Sequence, residues 1–84
     1  MIVEWTESAL DRLADLFVTA DLAEQAVMEA AVVKINSDLA VNPWNLGESR
    51  TEGRRMWFVE PLVVIFRVVP TKEQVVVLAV GRSR

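Results

Sequence analysis

The sequence contains no cysteine, no histidine and no tyrosine, and only three glycines and three prolines. Without cysteine there is no disulfide framework and no thiolate nucleophile. Without histidine as well, the Ser-His-Asp and Cys-His arrangements and the usual zinc ligand sets are closed. The missing tyrosine removes a further general acid or base. No apolar run approaches the roughly 20 residues that a membrane-spanning helix needs. The opening Met1-Ile2-Val3-Glu4-Trp5 lacks the basic start and long apolar centre of a signal peptide, so the chain reads as cytoplasmic. No internal repeat or low-complexity segment is visible, and no cofactor or metal is expected.

What is present suits one small folded domain spanning residues 1–84. Apolar residues make up 52% of the chain and charged ones 25%, enough hydrophobic material for a core and too much for a disordered polymer. The net charge of −3 conceals an asymmetry. Residues 1–46 carry two basic and eight acidic side chains, whereas residues 47–84 carry seven basic and four acidic ones. Six of those seven are arginine, whose planar fork suits phosphate and carboxylate. An acidic half followed by an Arg-rich half is compatible with an anionic partner on one face, or with an unevenly charged but merely solvated surface.

The pattern along the chain alternates in kind. Ile2–Trp5 reads as a first or edge strand ending at Thr6, a good helix cap. From Glu7, apolar residues fall at Ala9, Leu10, Leu13, Leu16 and Phe17, the spacing of a helix with one buried face. Asp21 stands three residues before Glu24, like a capping box, and opens a second helix over roughly 22–40. In it Val27, Ala31, Ile35 and Leu39 line up on one side. Pro43 ends it. Residues 42–53 are rich in turn formers and form the principal loop. Strands are expected at Arg54–Val59, Leu62–Val69 and Gln74–Val80, an antiparallel meander. The nearly unbroken apolar Leu62–Val69 reads as a central strand covered on both faces, with Arg67 in need of solvent or a partner. The fold class is therefore α+β: a two-layer β-α-α-β-β-β arrangement in which two helices cover one face of the sheet.

The informative side chains are the arginines Arg50, Arg54, Arg55, Arg67 and Arg82. Strand ends brought together by a sheet could pool several of them into a basic surface for nucleic acid or an acidic peptide. Against this, Arg54 and Arg55 are consecutive strand residues and must point to opposite faces. Glu48, Glu52 and Glu60 lie near the cluster but read most simply as ion-pair partners. Trp44, in the Pro-containing loop, is a candidate anchor for a partner or a lid over the end of the second helix.

The whole chain resembles toxins of the RelE/ParE superfamily of bacterial type II toxin–antitoxin systems. The resemblance lies in four segments. They are Val3-Glu4-Trp5-Thr6-Glu7-Ser8-Ala9 leading to Leu13, Asn42-Pro43-Trp44 through Gly47 and Arg50, Leu62-Val63-Val64-Ile65-Phe66-Arg67-Val68, and Val75-Val76-Val77-Leu78-Ala79-Val80-Gly81-Arg82. RelE-like members are ribosome-dependent mRNA endonucleases with basic residues after the loop, an Arg on the next strand and a basic residue with Tyr or His near the carboxyl end. Arg54 and Arg55 match the first requirement in type and Arg82 the last, but Val63 takes the place of the middle-strand Arg and the Tyr or His is absent. The Trp-Thr opening and the Phe66-Arg67-Val68 ending are closer to ParE-like members, which poison DNA gyrase. The resemblance thus implies a toxin that binds a macromolecular target and is silenced by a cognate antitoxin laid across the sheet and helices. Arg50, Arg54, Arg55, Arg67 and Arg82 would be its functional surface. An Arg-only mRNA endonuclease and a non-toxic binding module of the same fold are the alternatives. Exposed strand edges also leave room for a homodimer.

Overall fold

A computed structural model describes residues 1–84. The order of elements is β1 (Ile2–Trp5), α1 (Glu7–Val18), α2 (Leu22–Val41), β2 (Glu48–Ser49), β3 (Arg54–Val59), β4 (Leu62–Val69) and β5 (Gln74–Arg82). The helices start where short polar side chains can take up orphan backbone donors. Thr6 Oγ1 accepts the N–H of Ala9 at 3.1 Å, and Asp21 Oδ1 accepts that of Glu24 at 2.8 Å. The Glu24 carboxylate does not complete a capping box; it reaches Arg82 at 2.6 Å instead. Gln25 ties the turn between the helices by donating to the Phe17 carbonyl at 2.8 Å.

The strands form one sheet in the order β1-β5-β4-β3-β2. The expected meander β3-β4-β5 is antiparallel, but β1 joins β5 in parallel. Parallel neighbours cannot share a tight turn, and here nearly the whole chain, including both helices, separates them. Trp5 donates its indole N–H to Asn36 Oδ1 at 2.8 Å and fastens this edge strand to α2. The two-residue β2, paired to the start of β3, arises inside what the composition marks only as loop. Strand β5 extends two residues beyond the expected end at Val80.

Register decides which residues meet the helices. Val3 and Trp5 of β1, Val75, Val77 and Val80 of β5, Leu62, Val64 and Phe66 of β4, and Trp57 and Val59 of β3 occupy the helix-facing rows. Leu78 is the extra residue at a bulge opposite Ile65 and Phe66, which keeps both valine rows on that side. These residues pack with Ala9, Leu16, Met28, Ala31, Ile35 and Leu39 from the helices. Phe66, Ile35 and Leu39 are fully buried, each contributing about 1.5–3 kcal/mol by leaving water. Two sequence expectations are corrected here. Met28, not Val27, fills the core position at the start of α2, and Val27 is 53% exposed. Strand β4 is covered on one face only: Leu62, Val64 and Phe66 are buried, while Val63 and Ile65 on the other face are half-buried under no helix.

Candidate functional site: an arginine-bearing sheet end

The arginines of the second half sort by face and by end of the sheet. Arg55 pairs with Phe66 across the strands and so lies on the helix side, where its guanidinium closes the preceding loop. Its Nε donates to the Leu46 carbonyl at 2.7 Å, Nη2 to the Gly47 carbonyl at 3.0 Å and Nη1 to Ser49 Oγ at 2.9 Å. Gly47 permits this loop because it holds φ at +68°, and a side chain there would collide with the Met56 carbonyl. Arg55 is thus consumed by the scaffold.

Arg54 points the other way, onto the open face, directly opposite Arg67 of β4. Directly opposed strand residues place their Cβ atoms about 5 Å apart, and like charges so placed repel. Arg54 reaches only Glu52, at 3.9 Å. Arg67 forms no ion pair, and its Nε is shielded from solvent without a hydrogen-bond partner. Arg50 bends over the rim of the same face, donating to Glu48 at 3.3 Å, to the Ser49 carbonyl at 3.1 Å and to Met56 Sδ at 3.6 Å. Arg50, Arg54 and Arg67 are therefore gathered at one end of the sheet.

Arg82 is not with them. It pairs with Leu62 at the opposite end of β4, five residues from Arg67 or about 17 Å along the strand, and its salt bridge binds β5 to the start of α2. Trp44 follows α2 in a short 3₁₀ turn and is 52% exposed. It borders a shallow notch of about 270 Å³ shared with Ser49, Arg50, Arg54, Arg55 and Val68.

The carboxylates of this region each have a partner. Glu48 and Glu52 face Arg50 and Arg54, and Glu60 accepts a hydrogen bond from Ser83 at 2.6 Å. No cluster of carboxylates gathers that could hold a metal ion. What the geometry offers is an anion-receiving row set in an apolar surface. Met56, Phe58, Val63 and Ile65 occupy the open face beside it, with Phe58 55% exposed. This apolar face escapes a reading that assigns β4 cover on both sides. Its signal is the period-2 alternation Arg54, Met56, Phe58 against Val63, Ile65, Arg67.

Residues 3–84 match the model of the family described as the ParE toxin of the type II toxin–antitoxin system, parDE. The chain belongs to the ParE toxin family. Among solved structures, the chromosomal ParDE toxin–antitoxin system from P. aeruginosa is similar at 25% identity and a TM-score of 0.72, covering 100% of this chain and 97% of that one. The RelBE2 toxin–antitoxin complex from Mycobacterium tuberculosis is similar at 24% identity and a TM-score of 0.73, covering 96% and 88%. The intact E. coli RelBE complex is similar at 14% identity and a TM-score of 0.66, covering 99% and 96%. The last two similarities establish the RelE/ParE fold. No curated protein matches the sequence. No helix of this ParE-family chain is long and apolar enough to cross a membrane.

Proposed function

We propose that this ParE-family chain arrests growth by binding a macromolecular target, with DNA gyrase the first candidate, and that a cognate antitoxin silences it. The observation that carries the reading is the sheet end itself: Arg50, Arg54 and Arg67 gather there, and the carboxylates beside them, Glu48 and Glu52, are paired with Arg50 and Arg54. Cleavage of RNA through a 2′-hydroxyl calls for a base, an acid and a cation clamp, and arginine is too basic to serve as the base. A clamp whose neighbouring carboxylates are paired with its own arginines is suited to holding an anionic group of another macromolecule.

The antitoxin reading draws support from the similar P. aeruginosa structure, which is of a ParDE system. It also explains two apolar surfaces that the fold leaves bare. One is the open sheet face around Phe58; the other is the outer side of α2, where Leu22, Val33 and Val41 are exposed. Exposed apolar side chains on these two faces offer a partner surface to bury. The antitoxin would cover these surfaces and mask the arginines.

Induction of the chain in a bacterial culture, with gyrase supercoiling and mRNA integrity followed in parallel, tests the proposal. Arrest with supercoiling inhibited and message intact is expected. Ribosome-dependent cuts in the message with supercoiling unaffected would transfer the chain to the endonuclease reading. Normal growth with soluble protein would leave a binding module only.

A further inference from the structure

We propose that Arg54 and Arg67 form a carboxylate-receiving pair on the open sheet face, and that their ligand is a segment of a protein partner carrying one Glu or Asp beside alternating apolar residues. The inference deepens the reading of an antitoxin-silenced toxin and rests on it for the partner, but not for the chemistry of the pair.

The fold alone does not account for this pair. Two arginines stand directly opposite one another in the strand register, a placement of like charges that costs stability unless an anion offsets it. Arg67 Nε is closed off from water and bonded to nothing, and a buried polar group without a partner is disfavoured. Along the same row of the sheet, Arg67 is followed by Val76 and then Glu4. The nearest carboxylate in that direction is thus two strands away, or about 9.6 Å at ordinary strand spacing. Glu52 touches only the outer partner, Arg54. A carboxylate from outside would relieve the repulsion and accept charge-assisted hydrogen bonds from both forks.

The surroundings choose between a peptide and a nucleic acid. The next rows along the strands are Met56 with Ile65 and Phe58 with Val63. A polyphosphate backbone would be better served by further cations there, and the chain's net charge of −3 opposes polyanions in general. Successive rows are two residues apart, about 6.8 Å along a strand. An extended segment reading acid-x-apolar-x-apolar places its carboxylate on the arginine row and its apolar side chains on the two rows beyond.

The test uses the full 84-residue protein and end-capped synthetic peptides Glu-Thr-Leu-Thr-Leu and Gln-Thr-Leu-Thr-Leu, with hexauridylate as the nucleic-acid probe. Arginine Nε–H resonances are followed by NMR during titration. The Glu peptide is expected to shift the Arg54 and Arg67 resonances and to bind about tenfold more tightly than the Gln peptide. R67M, which keeps an apolar stem, is expected to lose that preference, and R54Q to reduce it at least about threefold with its amide spectrum unchanged. Equal affinity for the two peptides, an undiminished preference in both variants, or tighter binding of hexauridylate at the pair would overturn the proposal. Because the titration needs no growth phenotype, a Glu-peptide preference in a chain that fails to arrest growth would count against the toxin reading alone.

Discussion

Arg54 and Arg55 are adjacent in sequence and have opposite fates. Arg55 reaches two loop carbonyls and a hydroxyl from the helix side, whereas Arg54 stands on the open face with only Glu52 at 3.9 Å. Arg55→Ala should therefore lower stability by about 2 kcal/mol, since it abandons three charge-assisted bonds, the one to the Leu46 carbonyl partly buried, while Arg54→Ala should stay within about 0.5 kcal/mol of the parent. Urea unfolding of the two variants checks this. A double substitution at Arg54 and Arg55 would confuse loss of fold with loss of surface. Arg67→Met should leave stability unchanged or raise it by up to about 1 kcal/mol, because it removes a like-charge neighbour and an unbonded Nε. A fall of more than about 1 kcal/mol would mean that Arg67 supports the fold in a way its contacts do not reveal. The opposite faces of Arg54 and Arg55 were legible from the two-residue period of a strand. The capture of Arg55 was not, because its acceptors lie six to nine residues upstream in a segment with no period.

At the scale of elements, local chemistry and pattern carried most of the information. Thr6 and Asp21 cap the helices they precede, and β3 and β4 have the ends that the alternation of apolar runs and turn formers implied. The parallel seating of β1 was beyond reach, since nothing within four residues states which distant strand they will join. Strand β2 was hidden for a different reason: two residues have no periodicity, and their pairing depends on the Gly47 turn and the Arg55 clasp. Gly47→Ala tests that dependence. It should cost about 1–3 kcal/mol through a strained positive φ and the clash with the Met56 carbonyl. The Arg55 Nε–H signal should also lose its protection from exchange with water. A variant as stable as the parent, with that signal still protected, would show that the loop tolerates another conformation.

For the molecule as a whole, the charge asymmetry read from the sequence becomes a spatial one only in part. Arg50, Arg54 and Arg67 share one sheet end, while Arg82 is drawn to Glu24 at the other and Arg55 is turned inward. Two apolar surfaces remain uncovered, the open sheet face and the outer side of α2, so the chain leaves unfinished surface for a partner to cover. The family was legible because its motifs span the chain in order, whereas the working surface depends on register, which composition does not contain. The most direct test of a toxin acting through this surface is growth of cultures induced for the parent chain and for the R54Q/R67M double variant, with soluble protein matched between them. Arrest by the parent, and growth restored by the double variant, is the predicted result. A double variant that arrests growth as fully as the parent would contradict the assignment of function to the arginine row.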